Sequence, residues 1–106
     1  MGFLDFLRGP NIDQGVSEFR ETSGAVLLDV RTPQEYQAGH IPGSKNVPLQ
    51  QLERIEYVSV KKDTPLFVYC HSGARSSQAV KALARMGYTS VKNIGGIAAY
   101  TGKVEC

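Results

Sequence analysis

The chain has 106 residues, 42% of them hydrophobic and 21% charged, an ordinary globular composition that excludes a disordered tail or a collagen-like rod. It sits at the low end of the ~100–200 residues usual for one domain and is long enough to fold without a disulfide or a metal. Twelve Lys and Arg against ten Asp and Glu leave a net charge of +2, too mild and too dispersed to imply nucleic-acid binding.

Ile12, Val16 and Phe19 recur at helical spacing, and Ser23-Gly24 ends that helix. Residues 25–30, AVLLDV, form an apolar run of strand length broken only by Asp29 and followed by Arg31. Thr32-Pro33-Gln34-Glu35 is a capping box with proline at the first helical position, so a short helix starts there. Pro42-Gly43 imposes a turn that keeps it from passing Gly39. Asn46-Val47 reads as a brief strand, and Leu49, Leu52 and Ile55 as another helix. A polar loop over 61–65 leads into LFVYC (66–70), a second buried strand.

The clearest helix follows. Ala79, Ala82, Leu83 and Met86 fall at i, i+3, i+4 and i+7, and Gly87 stops it. Val91–Ile94 is a third strand, closed by Gly95-Gly96, with a final helical turn near Ile97–Tyr100. Strands alternating with helices predict a single small α/β domain, its mainly parallel central sheet flanked by helices. Ligands in such sheets collect at the carboxyl ends of the strands.

One such end is the loop Cys70-His71-Ser72-Gly73-Ala74-Arg75-Ser76. Ser72 has the chemistry of an N-cap, and Gly73 permits a tight turn. Counted from Ser72, Arg75 stands where the positive end of the helix dipole disfavours a cation, and residues 70–86 contain no Asp or Glu. A bound anion reconciles the two, and a thiolate is one such anion. Successive N–H groups of the loop would form a nest for anions passing to or from sulfur. On the cysteine alone, a small buried hydrophobe closing the strand is the commoner reading. The Cys–Gly–Arg arrangement between strand and helix turns it toward a nucleophile.

Leu28-Asp29-Val30-Arg31, Glu35-Tyr36, Gly39-His40-Ile41-Pro42-Gly43-Ser44, Asn46-Val47-Pro48 and Cys70 to Ser76 together resemble the successive motifs of the rhodanese-like domain. The resemblance runs from about Ile12 to Lys103, leaving an N-terminal extension over 1–11 and a rhodanese-like domain over 12–106. It implies a sulfurtransferase in which Cys70 carries sulfane sulfur as a persulfide, taken from thiosulfate or a persulfide donor and passed to cyanide or a thiol. Amides of residues 71–75 would cradle the persulfide, Arg75 would hold the sulfonate, and Ser72 and Ser76 would donate hydroxyl hydrogen bonds. The alternative is a sulfur carrier or binding module with little free turnover. Dual-specificity phosphatases share the fold, but their loop has one residue more than the His71, Ser72, Gly73 and Ala74 that separate Cys70 from Arg75 here. That leaves phosphatase or arsenate-reductase activity as the weaker reading.

Two positions depart from the family pattern. His71 stands where the family often has Arg, which would make activity depend on pH near the imidazole pKa of ~6.5. Tyr100 stands where Trp is usual, keeping a large aromatic. Asp29 and Arg31 are read as supporting groups near the loop, with Arg31 pairing Glu35 and Asp29 accepting strand-end donors. His40 reads as a hydrogen-bonded turn residue. Cys106, the last residue, reads as a frayed, idle thiol, with a resolving thiol as the sharper alternative. Phe3, Leu4, Phe6 and Leu7 would form one apolar turn docked on the domain's own surface.

Two cysteines and two histidines, with no CxxC pair, give neither a disulfide framework nor a recognisable zinc motif. No cofactor or metal is expected. The partners expected are a small sulfur-containing anion and a thiol or protein sulfur acceptor, with no nucleic acid and no membrane. MGFLDFLRG lacks a charged n-region and is broken by Asp5, so it does not read as a signal peptide, and the expected location is cytoplasmic.

Overall fold

A computed structural model of the chain describes residues 10–58 and 61–106. The first helix, α1 (Ile12–Glu21), is capped by the Asn11 side chain, which accepts from the Gln14 N–H at 3.1 Å. β1 (Val26–Asp29) follows, then α2 (Pro33–Ala38), β2 (Ser44–Asn46), a 3-10 segment (Leu49–Tyr57), β3 (Leu66–Cys70), α3 (Ala74–Arg85), β4 (Val91–Gly96) and a 3-10 turn (Ile97–Ala99). The capping box forms as the spacing predicts, with the Thr32 hydroxyl accepting from the Glu35 N–H and the Glu35 carboxylate from the Thr32 N–H. Over 49–57 the chain is 3-10 rather than α-helical, because Gln51 leaves helical geometry and splits the segment.

The four strands form one parallel sheet in the order β2-β1-β3-β4, as parallel connections through helices require. Strand alternation then divides the core. Leu28, Val30, Val68 and Cys70 face one layer with Ala79 and Leu83 of α3, while Leu27, Phe67, Tyr69 and Ile94 face the other with Ile12 and Val16 of α1. Both faces are covered, which is why β1 and β3 read as nearly unbroken apolar runs. α1 lies close to β4 at Gly15, where a Cβ would collide with the Ile94 side chain.

β4 continues through Gly95-Gly96 instead of closing at Ile94. A register shift opposite Val68/Tyr69 lets the glycines pair with Tyr69 and Cys70. The C-terminus is tied down, correcting the expectation of a frayed end. His40 and Glu105 exchange backbone hydrogen bonds of 2.8 and 2.9 Å. Among the described residues no helix is long and apolar enough to cross a membrane. The apolar turn expected around Phe3–Leu7 lies outside the described residues.

Candidate active site

β3 is buried at every residue and delivers Cys70, at 0% exposure, to the carboxyl end of the sheet. The chain then reverses through Gly73, whose φ of +107° lies where a side chain is strained, and α3 begins at Ala74. The helix cap is therefore Gly73 and not Ser72, and no side chain caps it. The first-turn amides point instead at sulfur. The Gly73 N–H donates to Cys70 Sγ at 2.9 Å, and the Ser76 hydroxyl, itself fully buried, lies 3.5 Å away. Burial pushes the thiol pKa up. The Ser76 hydroxyl and the amides of Ser76, Gly73 and Ser72 pull it down and win, leaving the thiol below its ordinary value.

Asn93, in the middle of β4, braces this loop. Its Oδ1 accepts from Ser76 Oγ at 2.8 Å and from the Gly95 N–H at 2.9 Å, while its Nδ2 donates to the Gly73 carbonyl at 3.3 Å. Gly96 lies directly under the loop. A Cβ there would strike the His71 carbonyl oxygen and Ser72 Cα, and the Ala98 N–H ties that same carbonyl at 3.0 Å. A recess of about 350 Å³ opens beside the backbone of His71, Ser72 and Gly73, but Cys70 does not line it. It flanks the loop on the side away from the buried thiol.

The charged groups pair differently from the expectation. Arg31 does not pair Glu35; it folds onto Asp29, with contacts of 2.7–3.1 Å to both carboxylate oxygens, and reaches the Gly39 carbonyl at 2.7 Å. Glu35 instead receives Arg75 bidentately, at 2.7 and 3.0 Å. The hydrogen-bonded Arg75 guanidinium holds the Glu35 carboxyl down at about 2, with burial opposing. The carboxylate that answers Arg75 at the helix start is thus supplied by α2, and no bound anion is needed to explain the cation there. Arg75 remains within electrostatic reach of Cys70.

His71 is exposed at the loop's rim. Tyr100 packs against the α1-side core, so the aromatic is retained as expected. His40 stacks on Tyr36 with ring centroids 3.7 Å apart, and its Nδ1 lies 2.9 Å from the Tyr36 carbonyl, the structural role read from its turn. Cys106 is exposed and lies 3.7 Å from the Ala38 carbonyl, held there by the His40–Glu105 bridge.

The family model of the rhodanese-like domain matches residues 14–103. The chain belongs to the rhodanese-like domain family. Among its relatives, the uncharacterized protein YqhL of Bacillus subtilis is 38% identical over 82 residues, 76% of this chain and 64% of that protein. The thiosulfate sulfurtransferase PspE of Escherichia coli is 44% identical over 71 residues, 66% of this chain and 68% of that protein. Of solved structures, a rhodanese with anions from E. coli superposes with a TM-score of 0.72 at 38% identity, covering 76% of this chain and 96% of that one. That structure and this chain share the small α/β fold.

Proposed function

We propose that this chain is a sulfurtransferase that carries sulfane sulfur on Cys70. The observation that carries the reading is the buried thiol at the end of β3, met by the Gly73 amide at 2.9 Å and a buried hydroxyl, with its pKa lowered in spite of burial. The Cys70 thiolate attacks the outer sulfur of thiosulfate. A new S–S bond forms, the old one breaks, and sulfite leaves with its electron pair, so a thiolate and a dianion give a persulfide anion and a dianion. A thiolate or cyanide then attacks the terminal sulfur, and the electron pair of the breaking S–S bond returns to Cys70. The amides of the loop stabilise charge on sulfur in both steps, as fixed dipoles that need no reorganisation. His71, Ser72, Ala74 and Arg75 form the outer part of the loop that would meet the donor, with Ser76 buried beneath. Cys70 must be reduced for this, which fits the cytoplasm.

PspE, named a thiosulfate sulfurtransferase, supports thiosulfate as donor. A carrier function has one observation in its favour, the complete burial of Cys70, which limits free access by small donors. The B. subtilis relative YrkF, 35% identical over 80 residues and 43% covered by this chain, is named a putative sulfur carrier protein. Thiocyanate formation from thiosulfate and cyanide separates the two. Turnover abolished by Cys70→Ser establishes the enzyme, and a stable persulfide by mass spectrometry without turnover establishes the carrier. Failure of Cys70 to take up sulfur under either condition rejects both.

A further inference from the structure

Two arginines stand near the carboxyl ends of β1 and β3, and each is cancelled. Arg31 is bound to Asp29 at 2.7 Å and Arg75 to Glu35 at 2.7 Å. The four charges sum to zero, so once Cys70 is a thiolate this group of five charges is net negative. A dianionic donor must approach that sulfur against it, with Arg75 already engaged by a carboxylate. A donor without net charge meets no such penalty.

Resting on the sulfurtransferase reading, we propose that Glu35 sets the donor preference: by neutralising Arg75 it disfavours dianionic donors such as thiosulfate and favours persulfides of low net charge. Glu35 does two separable things. As the third residue of α2 it closes the capping box, and through its charge it holds Arg75. Glutamine serves a capping box as well as glutamate does. Glu35→Gln therefore keeps the helix start and frees the cation. Thr32→Ala does the reverse, breaking the cap while leaving the carboxylate on Arg75.

The test measures kcat/KM of the full chain with thiosulfate and with cysteamine persulfide, whose ammonium group offsets its persulfide charge, cyanide being the acceptor in both. Glu35→Gln raises the thiosulfate-to-persulfide ratio about tenfold, the scale expected when one unit charge is released near a dianion at a site about one-third exposed, and does so through a lower thiosulfate KM. Thr32→Ala leaves the ratio unchanged. An unchanged or lowered ratio in Glu35→Gln overturns the inference, as does an equal rise in Thr32→Ala. If neither donor loads wild-type Cys70, the sulfurtransferase reading fails instead. Sulfite binding to Cys70→Ser and to Cys70→Ser/Glu35→Gln, followed by calorimetry, then still decides the charge effect. Tighter binding by the double variant upholds it, and equal or weaker binding overturns it.

Discussion

Ser76→Ala isolates what a single hydroxyl contributes to the thiolate. Ser76 has one proton and four acceptors within reach: Asn93 Oδ1 at 2.8 Å, the Gly73 carbonyl at 3.0 Å, and Cys70 Sγ and the Gly95 carbonyl both at 3.5 Å. With the thiol neutral, the proton belongs to Asn93, the shortest contact. When the thiolate forms, turning the proton to sulfur forfeits a neutral hydrogen bond of about 1 kcal/mol and gains a charge-assisted one of about 2 kcal/mol. The net gain of about 1 kcal/mol corresponds to about 0.7 of a pKa unit. Removing the hydroxyl therefore raises the thiol pKa by about that amount. The fold tolerates the change, because Asn93 Oδ1 keeps the Gly95 N–H and the Gly73 carbonyl keeps the Ser77 N–H at 3.1 Å. Iodoacetamide alkylation rates measured against pH, in a Cys106→Ser background that silences the exposed thiol, give the value directly. No upward shift would refute a switching hydroxyl. A rise of about 1.5 units or more would refute the competition among acceptors, since the full charge-assisted bond would then be on sulfur alone.

Three further outcomes follow from the same geometry. Glu35 is depressed from an ordinary 4.5 to about 2, so its contribution is complete above about pH 4.5 and disappears as the pH falls toward 2. Solvent screening at a pair about one-third exposed limits this to about 1 kcal/mol, read as a steeper acid loss of the urea midpoint in wild type than in Glu35→Gln. Gly96→Ala drives a Cβ into backbone atoms of His71 and Ser72, which cannot yield without moving the loop. It costs about 2 kcal/mol in urea unfolding and abolishes persulfide formation on Cys70. Tyr69→Phe strands the buried Ile41 N–H, which the Tyr69 hydroxyl now accepts at 3.1 Å, and lowers stability by about 2 kcal/mol in the same assay.

Local signals carried most of the fold. LFVYC coincides with β3 because a strand covered on both faces needs no polar alternation, and the capping box located α2 because its two reciprocal bonds involve only neighbouring residues. Cys70 and Ser76 were legible in the same way, from a short stretch between a strand and a helix. What escaped was set by contacts distant in sequence. Glu35 was assigned to Arg31, four residues away, but Asp29 captures Arg31 from two residues away in a buried pair, which releases Glu35 to meet Arg75 forty residues on. Asn93 gave no signal at all. An asparagine in a short strand is unremarkable until the parallel pairing of β3 with β4 brings it under the loop. Ser72 failed as a cap because Gly73, free to take a left-handed φ, starts the helix one residue later and turns the first amides toward sulfur.

Under the proposed sulfur transfer, that last displacement explains how the loop would hold a thiolate without surrendering its reactivity. With Gly73 as the cap, its own N–H lies outside the helical ladder and is left to serve Cys70. A bare cation beside the sulfur would also lower its pKa, but a thiol loses intrinsic nucleophilicity as its pKa falls. Here Glu35 occupies Arg75, burial opposes ionisation, and the stabilisation comes from the Gly73 amide and a hydroxyl whose proton has other places to go. The Ser76 proton can follow the charge, turning to sulfur when the thiolate forms and back to Asn93 as that sulfur attacks the donor and its charge moves outward. A loop built this way stabilises charge on Cys70 most when it is most localised there, which is before the first displacement and after the second. The barrier between must then be lowered by the fixed amides, and Gly73, whose positive φ aims one of them at 2.9 Å, is the residue through which the backbone does it.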